Sequence, residues 1–186
     1  MIVESKYFIQ FSGATDEDII RKAKPLYDKM IGSTIGRPLL ERLLHKVIQI
    51  DGIVAREKIN YNWSTSIDGA RSALTRADQA KSSTSVIPGE NAQNYVRRME
   101  ALYEHLTALI RDALAGLFAK ARAVDIDGPV RHNWSGVLDE AYSELQHSPS
   151  LPKHIVQARV ELLLGLGEHK RAHWLQLRDG VERPWY

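Results

Sequence analysis

Apolar residues recur every three to four positions over most of the chain, the spacing of helices with one buried face. The first stripe is Ile19, Ile20, Ala23, Leu26, Tyr27, Met30 and Ile31. Thr15 and the acidic run Asp16–Glu17–Asp18 precede it: a hydroxyl to cap free amides and carboxylates at the positive end of a helix. Pro25 interrupts or kinks this helix, and the stretch from Gly32 to Gly36 breaks it. Pro38 suits a new helix start, followed by Leu39, Leu40, Leu43, Leu44, Val47 and Ile48. The region from Ser64 to Ser85 reads as a short helix fading into a flexible link, KSSTSVIPGE. The clearest helix comes next, with a stripe from Tyr95 to Ala121 lasting about eight turns. Asp125 to Gly128 and Pro129 end it, and further helices fit 135–147, 152–166 and 168–180. One segment breaks the pattern. Tyr7 to Phe11 is aromatic and β-branched and reads as a single strand, with no second strand to pair with. Such a strand satisfies its backbone on a symmetry mate, on a partner's edge, or in a groove between helices.

The chain also repeats itself. Asn62-Trp63-Ser64 recurs as Asn133-Trp134-Ser135, and Asp68, Ala70, Ser72 and Leu74 match Asp139, Ala141, Ser143 and Leu145 in the same register. Tryptophan occurs only four times in the chain, so its place in both boxes adds weight. Upstream, IRKAKPLYDKM from Ile20 aligns with VRRMEALYEHL from Val96, pairing Arg21 with Arg97, Leu26 with Leu102 and Tyr27 with Tyr103. The offset is 76 there (97 − 21) and 71 at the boxes (133 − 62), so the second copy is five residues shorter. The glycine-containing break between Ile31 and Gly36 is the place for that difference. Each copy reads as a long helix, an Asn-Trp turn, and a shorter helix capped by Ser64 or Ser135. Trp63 and Trp134 are expected to pack between the helices of their own copy. The functional alternative makes the two boxes paired partner sites.

Composition narrows the class. A hydrophobic share of 44% and a charged share of 26% suit a folded core, and without cysteine there are neither disulfides nor thiolate metal sites. No apolar run reaches the roughly 18 residues of a membrane span, and Glu4 and Lys6 interrupt any signal-like start, so the expectation is a cytoplasmic protein with no membrane partner. The net charge of +2 forces neither nucleic acid nor membrane as partner.

Candidate chemistry is sparse. His169 and His173 share one helix face at metal-ligand spacing, but Lys170 and Arg171 beside them repel a cation, and no third ligand is evident. Glu144 and His147 have the spacing of half a carboxylate di-iron site, yet the equivalent residues of the other copy are Ala73 and Arg76. Arg98 and His105 stand in an Arg-x6-His spacing that resembles the catalytic signature of HEPN-type ribonucleases, which implies a helical dimer acting on RNA. The stretch from Ala158 to Leu177 resembles a tetratricopeptide-type hairpin, which implies stacked helical hairpins. Basic residues gather in the second half, among them Arg97, Arg98, Arg131, Lys170 and Arg171, with His132, Trp134 and Trp174 between them, a pattern able to meet nucleic acid.

These observations make the chain a single all-α domain of stacked or bundled helical hairpins. It carries an internal duplication (about 15–80 and 91–147), a short N-terminal extended segment and a C-terminal hairpin (152–180). Hairpin arrays work by binding macromolecules, so the leading function is a non-enzymatic adaptor for a protein partner or a second copy, without cofactor. Its binding residues are Trp63, Trp134, Arg97, Arg98, Arg131, His132, Lys170 and Arg171. The alternatives are a nucleic-acid-binding protein and a HEPN-like ribonuclease using Arg98 and His105.

Overall fold

The acidic run after Thr15 opens a helix as its chemistry dictates. In the computed structural model, which describes residues 1–147, Thr15 Oγ1 accepts the Asp18 amide at 3.2 Å. Helix α1 spans Asp16–Gly32 and passes through Pro25 without ending. Gly36, in the left-handed region at φ 81°, turns the chain into α2, Arg37–Arg56. Helix α3 spans Ser64–Ala80 and runs into a 3-10 turn, Lys81–Thr84. Helix α4, Ala92–Asp127, has 36 residues, and α5 spans Val137–Gln146. The fold is therefore mostly helical, and among the described residues no helix is long and apolar enough to cross a membrane. The 152–180 hairpin lies outside the described residues.

The N-terminal expectation needs correcting. A second strand exists: β1, Ile2–Glu4, pairs antiparallel with β2, Gln10–Ser12, with Val3 opposite Phe11. Three residues alternating outward, inward and outward are too short a run to register as a strand in the sequence. Tyr7 and Phe8, read as strand, form the hairpin turn with Lys6 instead. The Ser5 amide donates to Ile9 O (2.8 Å), Phe8 N donates to Ser5 O (3.0 Å), and Phe8 sits at φ 63°. The ladder is satisfied within the chain, so the strand no longer requires an outside partner.

The described residues form two units. One combines Met1–Gly32 with Ala80–Glu104, and the other combines Ser33–Gln79 with the described residues from His105 onward. In the first, the hairpin buries Val3, Ile9 and Phe11, while α1 buries Ile19, Ile20, Ala23, Tyr27, Met30 and Ile31. Tyr95, Val96, Met99 and Tyr103 come from the opening turns of α4. A buried carboxylate ties these parts together. Glu100 Oε1 accepts the Lys6 amide (2.9 Å) and the Tyr27 hydroxyl (3.2 Å), and Lys6 Nζ pairs with Glu104. Burial raises the Glu100 pKa above the ordinary carboxylate value.

In the second unit α2 buries Leu40, Leu43, Val47, Ile50 and Val54. Ile48, placed on the stripe by its spacing, is exposed, and Ile50 takes the inward position. Arg37 fixes the start of α2 by donating Nε to Glu41 (2.9 Å) and Nη2 to Asp78 of α3 (2.8 Å). Arg42 pairs with Glu140 of α5, and Arg111 donates to the carbonyls of Glu144 and Leu145, both at 3.0 Å. The expected serine caps are absent. Ser64 is the first helical residue, with the Trp63 carbonyl accepting the Ile67 amide, and Gly136 rather than Ser135 precedes α5.

Candidate functional site

The segment expected to be a flexible link is a built turn. Ile87-Pro88-Gly89-Glu90 closes with the Glu90 amide donating to Ile87 O at 2.9 Å, and Gly89 takes φ 79°. Proline second and glycine third is the composition such a turn favours. Arg98, on the first turns of α4, clasps it. Its Nε donates to Glu90 Oε1 (2.7 Å), Nη1 to Ser83 O (2.8 Å), and Nη2 to Ser85 O (2.8 Å) and Glu90 Oε2 (2.7 Å). The guanidinium also lies 5.5 Å from the Tyr95 ring centre. A planar fork meeting a carboxylate with two bonds is the strong form of this pair. It holds the Glu90 carboxyl below its ordinary pKa. Beneath the turn, Tyr95 donates its hydroxyl to Thr84 O, and burial pushes its pKa up to about 12. Asn91 Oδ1 caps α4 through the Asn94 amide, and Asp16 Oδ1 accepts the Ala92 amide.

The clasp sets one wall of a groove of about 650 Å³ within the first unit. Val86, Ile87, Pro88, Gly89, Glu90 and Asn91 form that wall, and Asp16, Glu17, Ile20, Arg21 and Lys24 of α1 form the other. Ile20 is buried at the floor, whereas Val86 and Ile87 are 44% and 52% exposed. Along α1 the lining changes sign from acidic Asp16 and Glu17 to basic Arg21 and Lys24, about one and two turns after Glu17. A shallower hollow in the second unit, of about 440 Å³, is lined by charged groups such as Arg42 and Glu140 that already pair with each other.

The residues singled out from sequence have distinct places. Trp63 and Trp134 meet inside the second unit, their rings 6.5 Å apart and inclined at 65°. Both are buried, and neither indole N–H has an acceptor among the described residues. Two positions earlier in each box, Tyr61 and His132 also meet, with the hydroxyl 3.3 Å from Nε2. Arg131 is exposed in the same unit, and Arg97 is exposed in the first. Arg98 is committed to the clasp, so action on RNA phosphate would require those bonds to open. His105 is exposed on α4. Lys170, Arg171, His169 and His173 lie outside the described residues. Among the described residues there is no group of three or more His, Asp or Glu side chains able to hold a metal ion. Sequence reasoning missed Val86, Ile87 and Glu17. The available signal was an adjacent apolar pair ahead of Pro-Gly in an otherwise polar stretch.

On the surface of the second unit Phe118 and Tyr142 lie 6.1 Å apart, and the Arg122 guanidinium is 5.8 Å from the Tyr142 ring centre. Comparisons of the chain with protein-family models, with curated proteins and with solved structures give no match in any of the three.

Proposed function

We propose that the chain is a non-enzymatic interaction protein whose first unit receives a segment of a protein partner in the groove between α1 and the Val86–Asn91 turn. The observation that carries this reading is the Arg98 clasp. Val86 and Ile87 hold apolar area in water, which is unfavourable by about 25 cal/mol per Å². A four-bond arginine network keeps them there instead of letting the turn collapse. Preorganised apolar area rimmed by charge lowers the ordering cost of binding.

The same reading includes the internal duplication. Two pairs of equivalent positions, Trp63 with Trp134 and Tyr61 with His132, touch each other, as residues near a pseudo-twofold axis do. Burial runs in parallel too: Ile19, Ile20, Ala23, Tyr27 and Met30 are buried, and so are Tyr95, Val96, Met99, Tyr103 and Leu106 at an offset of 76.

A second reading, nucleic-acid binding, is favoured by Phe118 and Tyr142 beside Arg122, since bases stack on exposed aromatics and guanidinium planes. One experiment separates the two. A photo-crosslinking amino acid is placed at Val86 in one full-length chain and at Tyr142 in another, inside the source cells. The partner-protein reading expects discrete protein adducts from Val86 that vanish when Ile87→Asp is added. The second expects nucleic-acid adducts from Tyr142, together with RNA or DNA affinity that falls steeply between two salt concentrations. Uncrosslinked chain from both positions would sink both.

A further inference from the structure

Resting on the groove reading, the charge order along α1 defines the occupant. We infer that the groove takes a short protein segment with an apolar centre, a cation at one end and a carboxylate at the other. The apolar centre follows from the lining: Ile20 at the floor and Val86, Ile87 and Pro88 on the wall offer no charge to a side chain between them. The cation belongs against Asp16 and Glu17. The helix macrodipole there amounts to only about half a positive charge, so two carboxylates leave this end negative. Asp16 gives Oδ1 to the Ala92 amide and keeps its second oxygen for a partner. The carboxylate belongs against Arg21 and Lys24. Arg21 bonds Asp18 at 2.9 Å and Lys24 bonds Asp28 at 2.8 Å, but the Arg21 side chain is 77% exposed. Solvated pairs of this kind contribute about 0–1 kcal/mol and exchange partners readily. The cation and carboxylate of the segment therefore stand about one to two helical turns apart, about 6–12 Å, on either side of its apolar residues. Lying the other way round, the same segment would place like charges together at both ends, so the charge order sets the direction in which it lies.

The test uses a random twelve-residue peptide library displayed on phage and panned on the full chain. Clones that also bind the Val86→Asp/Ile87→Asp variant are discarded, and the remaining peptides are titrated by fluorescence anisotropy. The expected result is enrichment of an apolar pair flanked by Lys or Arg on one side and Asp or Glu on the other. Affinity should fall at least tenfold on a Glu17→Lys/Lys24→Glu variant, which cancels the charge at both ends, and panning on that variant should enrich no charge order. Enriched peptides without a charge order, or indifferent to the swap, would overturn this inference and leave the groove reading standing. Failure to enrich any peptide dependent on Val86 and Ile87 would overturn both. All four substitutions fall on residues outside the core, and unchanged circular dichroism and melting verify the fold of each variant.

Discussion

Single residues carry the strain and polarity of this molecule. Phe8 holds φ 63°, a left-handed conformation that costs an L-residue about 1–2 kcal/mol, while half of its side chain stays in water. Phe8→Gly should therefore raise stability by about 1 kcal/mol, measured by denaturant titration, and a loss instead would show that the ring's contacts outweigh the strain. Glu100 gives a pH signature. Its pKa is raised on folding, so the folded state holds this proton more tightly than the unfolded state. Its stabilising contribution is full below the unfolded value near 4.5 and is lost as pH climbs through the folded value. Glu100→Gln keeps an oxygen for the Lys6 amide and the Tyr27 hydroxyl and carries no charge. Melts across this range should show the wild type losing stability relative to the variant, with the variant a few degrees higher at neutral pH. The paired tryptophans are a packing matter. Trp63→Ala and Trp134→Ala should each cost about 3–5 kcal/mol, with both together costing less than the sum because each ring rests on the other.

Among elements, α1 holds the sharpest conflict between local sequence and fold. Pro25 lies inside the helix, where proline removes an amide donor and crowds the preceding turn. The equivalent position of α4 under the proposed duplication is Ala101. Both are exposed, so Pro25→Ala trades no burial. The expected result is a gain of up to about 3 kcal/mol and slower amide exchange from Arg21 to Lys29. Unchanged exchange there would mean that packing of Ala23 and Tyr27 already sets the stability of this helix. The same elements show what a sequence discloses. The stripes of α1 and α4 were legible because many apolar residues repeat at one period, and the Thr15 cap stands beside the first. β1 was not, because three residues carry too little pattern. The Ile87–Glu90 turn was read as a link, since Pro-Gly marks a turn but not what holds it. The holding residue, Arg98, lies across a loop and drew notice only as a binding and catalytic candidate. Trp63 and Trp134 stood out by rarity, yet their contact with each other depends on a crossing of elements that periodicity does not encode.

At the scale of the whole molecule the course of the chain decides how it folds. Among the described residues the backbone passes between the two units at three places, after Gly32, Gln79 and Glu104. Under the proposed duplication, each copy would contribute its opening helical turns to the first unit and the remainder to the second. If the copies were independent modules, residues 1–90 would contain one entire copy, with the hairpin, α1, α2 and α3, and would fold alone. The packing says otherwise. In the first unit Tyr27 lies against Tyr95 at 6.5 Å and donates to Glu100, and Asp16 bonds the Ala92 amide, so α1 is completed by α4. In the second, Trp63 rests on Trp134 and Tyr61 on His132. A 1–90 fragment would leave Tyr27 and Trp63 without these partners and would lack the apolar face of α4 in both units. Helices α1 and α2, of 17 and 20 residues, draw most of their stability from the packing of their apolar faces. The fragment should therefore show reduced helical circular dichroism and no cooperative melt, while the full chain melts cooperatively. A fragment with native-like ellipticity per residue and a sharp transition would establish the copies as autonomous modules and remove the interdependence argued from the α1 and α4 contacts.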